Sequence, residues 1–426
     1  MENRINFKNK SRNKRYKKEL IIFFLIGIIL ASAIFYYYFI KYSPVYSLDY
    51  PQVNLTFEDE EVNYDDFIDC SFQLKSKVAS ENVDSIDGSI KIRGSGTGWN
   101  RIVPKKGYRV ELSKSVSLLG MREDDDWLLM GIYSDYPRMR IKMSMELWNT
   151  LNPTNPTAIL PESEYVNVFI NGEYEGLFLL CERNDRRLYG LDEPQNSLDS
   201  SLIFQARGPI FLRNYEPIRW EQDWPNEYEG ISIMDEILSQ MIKFIANSSD
   251  EEFFNTNHGI YSKFNKLNLI DFYIYNFFIL HKDFWNCNYF IVRNTNPSNY
   301  FLVPWDFDKS FGQFAWHMYD SDDNQENVIR EDNELFNRLI GNSEFMADCK
   351  ERWFELRNSI WTEEKVLDMV YEIYNEIIDI LPIETEKWNP SKLSQEWEND
   401  LDHYVNFFIE WIPERLDFCD SYFDDF

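Results

Sequence analysis

Between His281 and Gly312 the chain reads HKDFWNCNYFIVRNTNPSNYFLVPWDFDKSFG. Asp283 precedes Asn288 by five positions. In phosphoryl-transfer loops that spacing sets a proton-accepting carboxylate beside a metal-binding amide. Strand-like runs at 289–292 and 300–303 flank an Asn- and Pro-rich turn, so the segment reads as a hairpin that ends in Asp306 and Asp308. A hairpin returns its ends to one place, which would bring Asp283, Asn288, Asp306 and Asp308 together. Hard oxygen ligands beside a spare carboxylate base are what magnesium–nucleotide chemistry requires. Alone the pattern is weak, because Asp and Asn are abundant here and Asp306 and Asp308 would equally suit a solvated strand end or an Asx turn.

The phosphate-binding half of such a site has to come from upstream. Ser89 to Arg93 reads as a strand, Gly94-Ser95-Gly96-Thr97-Gly98 as a glycine-rich turn, and Tyr108 to Leu112 as the next strand, entered through Lys105 and Lys106. A strand, a loop with free backbone N–H groups and a lysine-bearing strand form one way to hold a triphosphate. The spacing is neither a Rossmann turn nor a Walker loop, and a plain hairpin turn would show the same glycines. Ser134-Asp135-Tyr136-Pro137 reads as a helix start, with the helix running from Arg138 to about Leu151. Ile141, Met145 and Trp148 share its core face, whereas Arg140 and Lys142 lie off that stripe and read by default as surface charge. Asn171-Gly172 between two apolar runs is a hairpin signal, and the hairpin ends at Glu182 in apolar surroundings. Residues 183–230 read as an irregular, charged connection. Two helices follow, at 232–246 and 267–280, the second delivering the chain to His281. Beyond Gly312 the pattern is helical, and its scattered tryptophans read as core.

Composition narrows the function. The 426 residues carry a formal charge of −29 and 17% aromatic residues, which suits a packed globular protein rather than a disordered one. Residues 1–19 hold eight Lys or Arg against Glu2 and Glu19, a net of +6, leaving −35 for the rest. So acidic a body disfavours nucleic acid and suits basic protein partners, although solubility alone accounts for it equally well. The five cysteines are widely spaced, with no zinc pattern and no disulfide framework. Cys287 lies between two Asn, but no motif places a base for a nucleophilic thiol beside it.

Leu20 to Ile40 is an uncharged run of 21 residues, about 31 Å long as a helix and so roughly one bilayer core. The basic stretch before it and the aromatic Tyr36–Phe39 at its far end predict an uncleaved single-pass anchor, cytoplasmic at its N-terminus, with everything after Lys41 outside. A cleaved signal peptide would have a shorter apolar core and small residues at its end. The expected organisation is a basic tail (1–19), a transmembrane helix (20–40), a juxtamembrane spacer (41–69) and a globular domain (70–426).

Taken together, the stretches IKIRGSGTGWN, PKKGYRVEL, SDYPRMRIK, VNVFINGEYEGLFLLCE and HKDFWNCN…VPWDFDKSFG resemble the CotH (spore-coat protein H-like) kinase family over roughly residues 88–314. The resemblance implies an α+β, atypical protein-kinase fold of two lobes, β-rich at about 70–185 and mostly helical at about 186–426. It also implies ATP- and Mg- (or Mn-) dependent phosphorylation of Ser or Thr. By position, Gly94, Ser95, Gly96 and Thr97 would cover the phosphates, and Lys106 would pair with the α- and β-phosphates. Arg140 matches the Arg of the family's D-x-S-x-x-R-N segment, and Glu182 would help build the nucleotide pocket. Asp283 would be the catalytic base and Asn288 a metal ligand, with Asp306 or Asp308 the main metal ligand. The chain departs from the family in RGSGTGW, in Ile141 where Asn usually follows the Arg, and in Phe178 in place of a Tyr. The resemblance implies spore-coat or cell-surface proteins as substrates. An adhesion or structural protein using the fold without catalysis is the alternative. A metal-dependent phosphoesterase is a third reading, disfavoured by only four His in the chain.

Overall fold

The computed structural model describes residues 2–58, 61–94, 101–226, 230–282, 284–314, 317–389 and 401–426. It divides into two compact units, residues 1–50 and 51–426. The first is a helix, α1 (Glu2–Lys41), followed by the short α2 (Ser43–Tyr46). Ile22–Lys41 is long and apolar enough to cross a membrane, and every side chain from Ile22 to Ile40 is exposed.

The second unit is mixed α and β. It opens with a seven-stranded sheet that closes on itself in the order β1-β2-β3-β4-β5-β7-β6. These strands are β1 (Gln52–Thr56), β2 (Ile68–Lys75), β3 (Val83–Ile92), β4 (Tyr108–Ser117), β5 (Glu123–Met130), β6 (Ser163–Ile170) and β7 (Glu173–Glu182). Alternation sends Val53, Leu55, Phe72, Leu74, Val110, Trp127 and Phe178 into one fully buried cluster. Each such side chain contributes about 1.5–3 kcal/mol on burial. Parallel pairing of β1 with β6 closes the ring and leaves no edge open. Residues 52–56 are therefore a strand and not part of a spacer. Their acidic, Pro-containing surroundings hid a two-residue apolar alternation, Val53 and Leu55, that only the distant β6 completes.

The helix after β5 is α3 (Arg140–Asn149). Arg140 and Lys142 are buried on it, contrary to the surface reading. Burial is tolerated because each cation finds oxygen: Arg140 meets Asp135 at 3.2 Å, and Lys142 meets the Ser163 carbonyl at 2.9 Å and Glu146 at 3.1 Å.

The supposed connection at 183–230 contains two strands, β8 (Leu202–Ala206) and β9 (Trp220–Trp224). They join β10 (Tyr289–Arg293) and β11 (Phe301–Pro304) in a sheet of order β11-β10-β8-β9. The charged sequence WEQDW conceals β9, since only its two terminal tryptophans are buried. Around this sheet lie α4 (Met234–Asn247), α5 (Asp250–Phe253) and the almost wholly buried α6 (Lys266–Phe278). After β11 come two-residue strands β12 (Gln313–Phe314) and β13 (His317–Met318). The chain then continues as α7 (Glu326–Asp332), α8 (Glu334–Ile340), α9 (Ser343–Arg357), α10 (Glu363–Ile377), α11 (Leu381–Lys387) and α12 (Leu401–Asp424).

Candidate active site

The site is built from the β10–β11 hairpin and the helix that leads into it. Asn265 caps α6 by accepting from the Asn268 N–H. Asn268, buried, bonds both the N–H and the carbonyl of Leu302 (2.7 and 3.0 Å), which ties α6 to β11. The chain then turns sharply through Leu280 (φ 49°) into His281. The His281 ring stacks on Phe284 (4.7 Å between centroids), and its Nε2 lies 2.9 Å from the Asp306 carbonyl oxygen. The Lys282 N–H donates to the Lys309 carbonyl, and the Trp305 N–H to that of Asn288 (2.9 Å). The two ends of the hairpin are thus fastened together. Both Asn288 (φ 59°) and Asp306 (φ 64°) take the left-handed conformation, which Asn and Asp adopt most readily among side-chain-bearing residues. Such backbone gathers at sites where function fixes a side chain's direction.

Asn288, Asp306 and Asp308 line one cavity of about 380 Å³, together with Gly94 and Lys106. Of the other residues singled out from sequence, Ser95, Gly96, Thr97 and Asp283 lie outside the described residues. Arg140 and Glu182 do not line the cavity. Arg140 sits behind it: its Nε donates to the Ser310 carbonyl (3.0 Å), bracing the turn that carries Asp306 and Asp308. Burial lowers its pKa against the opposing charges of Asp135 and Asp308. Glu182 accepts the N–H groups of Arg122 (2.9 Å) and Glu162 (3.0 Å), latching the starts of β5 and β6. Burial raises its pKa despite those bonds.

Two cations were not assigned from sequence. Arg93, at the end of β3, lines the cavity and lies within the electrostatic reach of Asp306. Its signal was an Arg directly before the glycines. Lys105 also lines the cavity and is fully buried, with Nζ 2.6 Å from Glu384 of α11. Burial brings its pKa down to about 8, with Glu384 opposing the shift. Lys106, favoured from sequence, turns Nζ to the carbonyls of Arg101 (2.9 Å) and Val103 (2.7 Å). Glu384 stands 279 positions from Lys105, so nothing local announced the pair.

Gly176 explains why the FINGEYEG motif needs its last glycine. It adopts φ +144°, and a Cβ there would lie 2.8 Å from Glu384 Oε2 and 2.9 Å from Trp388 Nε1. Glu384 also accepts the Leu177 N–H (2.9 Å) and faces Arg138 Nε (3.3 Å). The α11 segment is thereby locked onto β7 directly beside the cavity.

Among the described residues no group of three or more His, Cys, Asp and Glu could hold a metal. A magnesium ion needs less, since one or two carboxylates plus substrate phosphates and waters suffice. Two carboxylates and an amide on one cavity wall are hard oxygen donors that fit it.

The CotH kinase protein family matches residues 90–418. The chain belongs to that family. The match takes in α7–α11 and most of α12 as well as the motif-bearing half, so Glu384 lies within the CotH region. The inner spore coat protein H of Bacillus subtilis (strain 168) is 24% identical over 354 residues, covering 80% of this chain and 90% of that protein. The crystal structure of a Helicobacter pylori proinflammatory kinase, CtkA, shares 11% identity over 74% of this chain and 94% of its own, with a TM-score of 0.26. As a CotH member the chain is a kinase-like protein.

Proposed function

We propose that this chain is a membrane-anchored protein kinase that transfers the γ-phosphate of ATP to Ser or Thr hydroxyls of spore-coat or cell-surface proteins. The observation that carries the reading is the convergence of Asn288, Asp306 and Asp308 with Arg93, Lys105 and Lys106 on one cavity. Its two halves then divide as in a two-lobed kinase, with the closed sheet supplying cations and the hairpin supplying acids. Bound magnesium would neutralise charge on the phosphates. Asn288, Asp306 and Asp308 would hold it, while Lys105, Arg93 and Lys106 orient the phosphate oxygens. Asp283 accepts the proton of the attacking hydroxyl, and Arg140 keeps the Asp306–Asp308 turn in place from behind. The basic tail and the apolar Ile22–Lys41 support an N-terminus in the cytoplasm and a catalytic domain outside.

The acidic body favours basic substrates. The test incubates the full chain in detergent micelles with radiolabelled ATP and Mg or Mn, offering a Lys-rich Ser peptide and an acidic one. The reading expects label on Ser or Thr, with the basic peptide preferred. Equal labelling of the two peptides would remove the basic preference, and absence of label with either metal would contradict the kinase.

A further inference from the structure

The cavity has a second charged wall, made by β8 and β9, that the phosphoryl-transfer residues do not use. Gln205, Arg207, Glu221 and Asp223 line it, with Arg183 entering from the end of β7. Most of these charges are already satisfied. Arg207 pairs with Glu221, and Arg183 with Asp126 at 2.5 Å. Asp126 is held as well by a two-point contact from Arg109 (2.9 and 2.7 Å). Asp223 is the remainder. Among the described residues no hydrogen bond or ion pair engages its carboxylate, although it lines the cavity.

Its direction has a structural cause. Ile203 pairs with Trp224 and Phe204 with Gln222, so Asp223 is the extra residue of a bulge in β9. A bulge leaves one residue outside the ladder and re-aims its side chain, and bulges recur beside active sites for that reason.

We infer that Asp223 is the ribose subsite of this cavity, its carboxylate accepting hydrogen bonds from the vicinal 2′- and 3′-hydroxyls of a nucleoside triphosphate. The inference rests on the nucleotide reading proposed above. Position supports it: β9 lies two strands from β10, about 10 Å at ordinary strand spacing, which separates Asp223 from the metal-binding end. Charge supports it too. Arg183, Arg207 and Arg109 act on Asp223 from three other segments and Glu221 from its own strand. Each of these arginines is already paired with Glu221, Asp126 or Glu111, so the Asp223 carboxylate is left for O–H donors that a ligand brings. A vicinal diol offers two such donors, the same chemistry by which an acidic residue reads ribose in dinucleotide-binding folds. Burial, with Glu221 adding to it, lifts the Asp223 pKa to about 7, as for a carboxylate lacking its donors.

The experiment measures binding of Mg-ATP, Mg-2′,3′-dideoxy-ATP and inorganic tripolyphosphate to the full chain in detergent micelles, by calorimetry. The wild-type chain should bind ATP about tenfold or more tightly than dideoxy-ATP. Asp223→Ala should abolish that difference while leaving tripolyphosphate affinity unchanged. Asp223→Asn, which keeps the volume, serves as a second variant if the alanine protein fails to fold. Equal affinity of the wild-type chain for ATP and dideoxy-ATP would overturn the ribose assignment while the nucleotide reading stands. A preference that persists in both variants would also overturn it. Failure to bind both ATP and tripolyphosphate would instead overturn the nucleotide reading, and the ribose subsite with it.

Discussion

Replacing Glu384 with Gln should cost the fold about 3–5 kcal/mol, the loss expected when one member of a buried ion pair is removed. Three donors converge on this carboxylate: Lys105 Nζ at 2.6 Å, Leu177 N–H at 2.9 Å and Arg138 Nε at 3.3 Å. Both charged side chains and the carboxylate are fully buried. A glutamine is nearly isosteric but presents one acceptor and one NH₂, so at least one donor would face another donor. Arg138 is cushioned, because it also donates to the carbonyls of Tyr133, Asp135 and Trp388 at 2.7–2.9 Å. Lys105 has less cushioning: among the described residues the Leu177 carbonyl is its one other acceptor, and burial already brings its pKa down to about 8 with Glu384 opposing, so loss of the carboxylate lowers it further. The variant should therefore lose a cavity cation as well as stability, and bind Mg-ATP more weakly. Urea unfolding of the full chain in micelles measures the first effect and calorimetry the second. Lys105→Met combined with Glu384→Gln should be no worse than Glu384→Gln alone, since Lys105→Met removes the buried amine that Glu384→Gln leaves without its counterion. A Glu384→Gln chain within about 0.5 kcal/mol of wild type, or losses that simply add, would refute the coupling.

Three further outcomes follow from the same geometry. Gly176→Ala should destabilise by about 1–3 kcal/mol from its backbone conformation alone and more from the 2.8 Å approach to Glu384, read as a lowered melting temperature. Asp306→Asn and Asp308→Asn should each raise the Mg concentration needed for half-maximal transfer, with the larger shift identifying the main metal ligand; unchanged Mg dependence in both would remove them from the metal site. The third concerns pH. Asp223 has a folded pKa raised to about 7, so between about pH 4 and 7 the folded state holds a proton that the unfolded state has lost. Its contribution to stability is full at low pH and is lost as pH rises through 7. Glu376, also raised to about 7 by burial, acts in the same direction. Asp223→Asn should flatten part of that decline in pH-dependent melting, and an unaltered profile would contradict the assigned burial.

How much of this was legible in the sequence depends on how local each cause is. The hairpins were visible because Asn171-Gly172 and the Asn-Pro turn at 294–299 are short-range signals, and they bring Asn288 to Asp306 by chain geometry. The helix at 140–149 was visible, but the burial of Arg140 and Lys142 was not, because their oxygen partners, Ser310 and Ser163, come from other elements. β1, β8 and β9 were missed for a related reason. Each is five residues long in charged or irregular sequence and takes its order from strands far away in the chain. The choice of Lys106 over Lys105 turned on a partner 279 positions distant, beyond any periodicity. Asp223 was invisible because a bulge, not an alternation, sets its direction.

The decisive assay is phosphate transfer from radiolabelled ATP by the full chain and by its Asp283→Asn variant, with ATP binding measured on both. A proton-accepting role for Asp283 predicts label on Ser or Thr with the wild-type chain and a loss of at least about a hundredfold in the variant, while ATP affinity stays near that of wild type. Undiminished transfer by a folded, ATP-binding Asp283→Asn chain would contradict that role. Absence of both transfer and ATP binding in the wild-type chain would contradict the kinase itself.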